Sequence, residues 1–323
     1  MLTDPIPFDR LAPGMLVFQR IGPPGNRYMG AYVVATGQQR SRGISYVPVN
    51  DPSVSPDGSR IVFTSFSTIP TAEDVYVVGY DGTNLERVSD LAAKEQSPGW
   101  ASDGRQIFFF AVPLASTGDS VQLYRQSPGR QTGDRVLVFD SGTITPPTRF
   151  SGPVSASPTG TLLVAGGGIR AISSDGSEVN LLIPVPGEGK TLYSPCWSAD
   201  GQNIAALLVA RDTAGIRSVS VIVYTADGAS ADTLVTLAAS GGSEWSGNNS
   251  YSLCWSPDGS QIAFTRPDGV GAGSHIYVIG KNHAGLTQVT SAAGVIDRSL
   301  SWGKEVSVAD SLWIHKGGAG RLR

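Results

Sequence analysis

The sequence predicts an all-β chain: a closed ring of six four-stranded antiparallel blades, and two observations carry that prediction. A short phrase recurs along the chain, and the segments at the two ends complement one another. The phrase reads Ser-Val-Ser-Pro-Asp-Gly at 53–58, Pro-Gly-Trp-Ala-Ser-Asp-Gly at 98–104 and Val-Ser-Ala-Ser-Pro-Thr-Gly at 154–160. It returns as Pro-Cys-Trp-Ser-Ala-Asp-Gly at 195–201 and Leu-Cys-Trp-Ser-Pro-Asp-Gly at 253–259, with a truncated Ser-Leu-Ser-Trp-Gly at 299–303. Self-similarity at a period of roughly 40–60 residues marks an array of small sheets, each unable to bury its faces alone.

Each copy reads as four short strands. In the first full copy, 52–55 is an inner strand, Asp57 and Gly58 form a turn, and 60–65 (Arg-Ile-Val-Phe-Thr-Ser) is a second strand of β-branched and aromatic residues. A loop at 66–74 leads to a third strand at 75–79, and a second Asp-Gly at 81–82 turns the chain into 84–88. Asp-Gly between apolar runs signals a tight hairpin with both turn residues at positive φ. Later copies give second strands at 106–110, 161–165, 203–208 and 261–265, third strands at 122–125, 169–173, 219–224 and 275–279, and fourth strands at 136–139, 180–183, 233–237 and 286–289. Residues 15–20 and 30–35 look like second and third strands without a first, and 298–302 is a first strand without a continuation. Joining them closes the ring and removes the exposed sheet edges. The organisation is then an extension at 1–14, the ring at 15–303 (blade 1 shared between 15–47 and 298–302, then about 52–90, 97–140, 153–184, 193–238 and 251–290), and a tail at 304–323. Leu312–His315 of that tail could add an outer strand.

Trp100, Trp197, Trp255 and Trp302 occupy one repeat position and are expected to pack between blades. Asp57, Gly58, Asp103, Gly104, Asp200, Gly201, Asp258 and Gly259 are expected to build the turns. Cys196 and Cys254 hold equivalent positions of consecutive copies, which argues for two buried thiols over a disulfide, because equivalent side chains do not aim at each other.

Composition bounds the function. Of 323 residues 16% are charged, with a net charge of −3 and 40 glycines, so no basic stripe suits a phosphate backbone and nucleic acid is not an expected partner. No apolar run approaches the ~20 residues of a membrane-spanning helix. Residues 1–8 do not read as a signal peptide. Low lysine with high serine, threonine and glycine leans towards a periplasmic or secreted protein, with the cytoplasm left open. No cofactor is expected; a channel metal such as calcium, held by loop carboxylates, is neither supported nor denied.

Trp-Ser-Pro-Asp-Gly at 255–259 followed by a strand of the Arg-Ile-Val-Phe-Thr-Ser type resembles the WD40-like (PD40) repeats of the TolB family. The match lies in 253–266 and 53–66, with Ile-Tyr-Val-Ile at 276–279 and Leu-Thr-Gln-Val-Thr at 286–290 in support, and it extends over about 15–302. The resemblance implies a six-bladed β-propeller. Similar propellers precede the catalytic domain of prolyl oligopeptidases, and related blades in oligogalacturonate lyases carry clustered histidines around a metal. This chain has His275, His283 and His315.

Strand direction sorts the connections. Turns joining strands one to two and three to four lie on one face, the turn face; connections two to three and four to one lie on the other, the loop face. Long irregular loops on a rigid scaffold are where binding groups are displayed. The loop-face candidates are Arg20, Arg27, Glu73, Asp74, Lys94, Glu95, Asp119, Arg149, Arg211, Asp212 and Arg217. The loop 238–250 adds Glu244 and Trp245, an aromatic in a Ser/Gly/Asn setting that suits a peptide or sugar ring. Arg266, Asp268 and His275 flank a glycine-rich loop, with His275 and Asp268 as an acid–base candidate, and Tyr193 and Tyr251 are placed to line the channel mouth. Glu95 with Asp119 is the carboxylate pair to consider. The leading expectation is a non-enzymatic, monomeric module binding a protein or peptide, with a glycan as another ligand class. The alternatives are a polysaccharide- or ester-processing enzyme at the channel mouth, and a structural domain of a larger envelope protein.

Overall fold

A computed structural model describes residues 6–22, 26–35, 38–44, 49–66, 73–114, 121–129, 134–143, 151–166, 168–213, 215–238, 251–267 and 273–306. Its 24 strands and two short 3-10 turns, with no α-helix among the described residues, form six four-stranded blades. Blade 1 joins the two ends of the ring. Its inner strand is β24 (Ile296–Gly303), followed outward by β1 (Gly14–Gly22), β2 (Asn26–Ala35) and β3 (Gln38–Ile44). Blade 2 comprises β4 (Asn50–Val54), β5 (Arg60–Phe66), β6 (Glu73–Gly79) and β7 (Glu86–Arg87), and blade 3 β8 (Ala93–Trp100), β9 (Ile107–Pro113), β10 (Gln122–Gln126) and β11 (Val136–Asp140). Blade 4 is β12 (Ser151–Ala156), β13 (Leu162–Ala165), β14 (Ile169–Ile172) and β15 (Val179–Ile183). Blade 5 is β16 (Lys190–Trp197), β17 (Asn203–Asp212), β18 (Gly215–Thr225) and β19 (Ala231–Ala238), and blade 6 is β20 (Leu253–Trp255), β21 (Gln261–Pro267), β22 (Ser274–Gly280) and β23 (Thr287–Gln288).

The second strands read as unbroken apolar runs because both blade faces are buried. Period two then sends alternate residues to opposite neighbours. In β9, Phe108 and Phe110 join the cluster shared with blade 4, while Ile107 and Phe109 join the one shared with blade 2. The core is accordingly six apolar layers, one in each seam between consecutive blades. Each fully buried phenylalanine in these layers contributes about 1.5–3 kcal/mol.

The tryptophans stitch the seams. Trp100 Nε1 donates to Ser53 O at 3.1 Å, Trp197 Nε1 to Thr161 O at 3.0 Å and Trp255 Nε1 to Cys196 O at 3.2 Å, each reaching the preceding blade. Cys196 and Cys254 are free thiols packed against one apolar layer, and burial pushes both thiols up.

The turns differ from the hairpin expected for Asp-Gly. Gly58 alone takes positive φ (76°), and Asp57 does not. The chain makes a four-residue turn closed by Gly58 N to Ser55 O at 2.8 Å and Ser55 N to Arg60 O at 2.9 Å. The Asp57 carboxylate explains this: it accepts from Ser55 Oγ at 2.6 Å and Ser59 N at 3.0 Å, a local cap that holds the aspartate at negative φ. A Cβ on Gly58 would stand 2.1 Å from Lys304 O, so the position excludes side chains on space as well. The same cap recurs with Ser198 Oγ on Asp200 at 2.5 Å and Ser256 Oγ on Asp258 at 2.6 Å. It also forms at turns joining third to fourth strands, where Ser177 N donates to Asp175 at 3.0 Å.

Closure rests on β1 pairing antiparallel with β24, Leu16 opposite Trp302 and Arg20 opposite Asp297. Arg20 clamps Asp297 through two hydrogen bonds, Nε to Oδ1 at 2.6 Å and Nη2 to Oδ2 at 2.7 Å, with side chains 2% and 0% exposed. The seam between blades 2 and 3 has its own buried acid. Glu95 accepts from Val75 N at 2.8 Å, Leu91 N at 3.2 Å and the Ser89 hydroxyl, and burial pushes its carboxyl up to about 7 against those bonds.

Replacing Arg20 alone with Met should cost about 3–5 kcal/mol by stranding a buried carboxylate, whereas Arg20→Met with Asp297→Leu should recover most of that loss in denaturant unfolding. Glu95 binds its proton more tightly folded than unfolded, so its contribution is present below about pH 4.5 and is lost as pH rises to about 7. Glu95→Gln should therefore flatten a decline of up to about 3 kcal/mol across that window in a pH series of melts. The turn aspartates act in the opposite sense. Asp175 is held at about 2, chiefly by the Ser177 amide, and Asp200 is lowered chiefly by the Ser198 hydroxyl, so stability should fall as pH drops from about 4 towards 2.

Candidate functional site at the channel mouths

The inner strands carry a bulge at one repeat position, three residues before the tryptophan. There Asp51, Ser97, Ser194 and Ser299 take positive φ of 47–54°, and register slips between Asn50 and Ser53, Gln96 and Gly99, and Tyr193 and Cys196. The bulge turns polar groups from blade to blade around the axis. Asp51 Oδ2 accepts from Ser97 N at 3.1 Å, and its Oδ1 accepts from Ser299 Oγ at 2.8 Å. Leu300 N donates to Ser252 Oγ at 2.6 Å, and Ser194 Oγ to Tyr251 O at 2.5 Å. This girdle divides the axis into a loop-face mouth and a turn-face mouth.

On the loop-face side, Tyr193 and Tyr251 come from equivalent positions of blades 5 and 6. Their rings stand 5.0 Å apart and tilted by 33°. Arg211, at the end of β17, lies over both, 5.6 Å from one centroid and 5.9 Å from the other, and its Nη1 donates to the Tyr193 hydroxyl at 3.0 Å. The guanidinium is thereby fixed in orientation while only half-buried. Burial pushes the Tyr251 phenol up, opposed by the Arg211 charge. Arg266 ends β21, 5.7 Å over the Tyr277 ring, and reaches blade 5 at Ala238 O, 3.2 Å away. Arg298 on β24 donates through Nε to Gln19 Oε1 at 2.6 Å, and Gln19 Nε2 donates to Asn50 Oδ1 at 2.7 Å. Arg211, Arg266 and Arg298 thus stand towards the loop-face ends of blades 5, 6 and 1, with Arg266 reaching the outermost strand of blade 5.

The structure therefore brings together Tyr193, Tyr251 and Arg211. His275 sits opposite Arg266 in register and is 5% exposed. Trp245, Glu244, Asp119, Asp268 and Arg149 lie outside the described residues, as do the side chains of Arg27 and Arg217 and the tail segment 312–315. The pairing of Glu95 with Asp119 falls outside for the same reason; the acid near Glu95 is Asp74, which is paired with Arg87 at 2.8 Å. Arg20 is consumed by Asp297. Glu73 stands 3.9 Å from Lys94 at the start of the blade 2–3 seam.

The two described histidines do not converge. His275 is near the loop-face end of β22, whereas His283 lies in the turn beyond its other end, 2.9 Å from Asp232 of blade 5. Among the described residues no group of three or more His, Cys, Asp or Glu is placed to hold a metal. No described helix is long and apolar enough to cross a membrane.

On the turn face the inner strands flare into a funnel of about 530 Å³. Its wall mixes apolar side chains such as Pro52, Pro153, Leu253 and Leu300 with serines, Asp103 and Lys304, and both cysteines line it. The sequence points to the loop face for binding groups and to the turn face for regular turns; the structure adds a large cavity on the turn face. Its residues read as core and turn one by one. The available signal was Asp51, an acid at a repeat position where Ser97, Ser194, Ser252 and Ser299 stand in other copies.

No family model matches the chain. Tricorn protease homolog 1 of Streptomyces coelicolor is 32% identical over 109 residues, 33% of this chain, and the chain spans only 9% of that protein. TolB from Acinetobacter baumannii superposes with a TM-score of 0.67 at 16% identity, over 90% of this chain and 67% of that one. An oligogalacturonate lyase solved in complex with manganese gives 0.53 at 13% identity, over 82% and 73% of the two chains. At these identities the likeness is one of architecture, and the chain has the fold of a TolB-like six-bladed β-propeller.

Proposed function

We propose that this propeller is a binding module that takes a protein or peptide partner at its loop face. The observation that carries the reading is the half-buried Arg211 held flat against Tyr193 and Tyr251 at the channel mouth. A guanidinium already oriented by two rings meets a carboxylate with little ordering cost, and tyrosines and arginines supply much of the energy of protein interfaces. The partner segment it suits is extended and presents an acidic side chain or a terminal carboxylate. The loops 239–250 and 268–272 adjoin Tyr251 and Arg266 in the chain, and Arg217 follows Arg211 by six residues, so Glu244, Trp245, Asp268 and Arg217 are the neighbouring contacts in this reading. One propeller face offers the ~800 Å² per partner that a stable interface needs. A bacterial envelope or secreted setting is part of the proposal, in keeping with the TolB-like fold.

Arg211→Gln should weaken partner retention about tenfold or more, read as protein recovered from a bacterial envelope extract on immobilised wild type and variant, with melts of the two kept alike. Equal retention by both, or none by the wild type, contradicts the reading.

A further inference from the structure

The lining of the turn-face funnel is close to neutral. It holds six prolines and six serines, with Asp103 and Lys304 as one charge of each sign. Such a wall suits a side chain that is apolar over most of its surface and carries one hydrogen-bond donor, which is the chemistry of an indole. Acceptors for that donor are in place. The Ser155 hydroxyl accepts from Trp197 N at 3.0 Å and the Ser301 hydroxyl from Val54 N at 2.9 Å, and each keeps a second lone pair.

The chain itself leads out of this cavity. Leu300, Ser301, Trp302, Gly303 and Lys304 are consecutive and all line it. Beyond them the chain stays against the turn face of blade 2. A Cβ on Gly58 would stand 2.1 Å from Lys304 O and 3.3 Å from Val306 Cγ2, and Glu305 and Val306 are half-buried. The described residues stop there, and 307–323 follow in the sequence. That segment has one run of three large apolar residues, Leu312, Trp313 and Ile314. Left in water, the run would expose a contiguous apolar patch of a kind that folded proteins tend to cover. The stretch from Val306 to Leu312 reaches up to about 20 Å, more than the width of a cavity of about 530 Å³.

We propose that 312–314 of this same chain dock in the turn-face funnel, with Trp313 filling it and donating its indole N–H to a serine hydroxyl of the wall. The plug is tethered at the rim it closes. It needs little affinity of its own, because a short linker holds it at millimolar effective concentration. The site lies on the face opposite Arg211 and stands or falls independently of the loop-face reading.

Cys196 and Cys254 report on the funnel, since both line it and the chain has no other cysteines. Their alkylation is followed at mildly alkaline pH in the full chain, in Trp313→Ser, and in a chain ended after Val306, which lacks none of the described residues. The full chain should react about tenfold more slowly than either variant, at a rate unchanged by about hundredfold dilution, because the occupant is its own. The peptide acetyl-Ser-Leu-Trp-Ile-His-amide at about 5 mM should restore slow alkylation to the shortened chain, and the version with serine in place of tryptophan should not. Equal rates in the three proteins overturn the proposal, as does equal protection by the two peptides. Fast alkylation of the shortened chain that the tryptophan peptide fails to slow also overturns it, because the variant has then lost structure and not a plug. Protection of the full chain that fades on dilution overturns it in favour of a second copy as the occupant.

Discussion

Everything in this molecule depends on one pairing between segments nearly 280 residues apart. Each blade buries apolar side chains on both faces, so none is a stable unit by itself, and a ring left open would expose two such faces. The pairing of β1 with β24 supplies the missing seam. It is reinforced at one end by Trp302 beside Leu16 in the shared apolar layer and at the other by the buried Arg20–Asp297 clamp. An ion pair so deeply buried adds little net stability over apolar residues of the same size, but it penalises a slipped register heavily, since a shift would leave both charges without partners. The clamp is best understood as a register pin.

The same logic of neighbour-to-neighbour stitching recurs around the ring in softer forms. Tryptophan indoles reach back to the preceding blade, and Glu95 caps amides of blade 2 from blade 3. The bulged inner strands exchange hydroxyl, amide and carboxylate contacts between neighbouring blades around the axis. The rigid girdle separates two mouths of opposite character. One carries arginines and tyrosines displayed at strand ends; the other is a funnel of mixed apolar and hydroxyl-bearing side chains under the capped turns.

How much of this could be read in the sequence follows from where each partner sits. The repeat and its strands were legible because turn, strand and tryptophan lie within a few residues of one another. Closure was legible because the two incomplete repeats complement each other in strand count. The turn geometry was not: Asp-Gly alone reads as a two-residue hairpin, whereas the serine before it and the residue after it cap the aspartate and convert the turn. Sequence offers Tyr193 and Tyr251 as mouth residues from a shared repeat position and Arg211 as a loop-face residue, but the stacking of Arg211 on both depends on blades 5 and 6 standing side by side. Arg20 looked like a loop-face contact and is instead the register pin, because its partner is 277 positions away. The funnel was invisible for a simpler reason: prolines, leucines and tryptophans that wall a cavity cannot be told in sequence from those that fill one.

The central claim, that closure makes the ring a single cooperative unit, is tested most directly by native-state amide hydrogen exchange. The account predicts that amides of β1 and β24 exchange together, as slowly as those in the inner strands of blades 4 and 5, through global opening. Fast exchange of β1 or β24 while the other blades stay protected would show that the ring opens at this seam on its own, and would contradict the account.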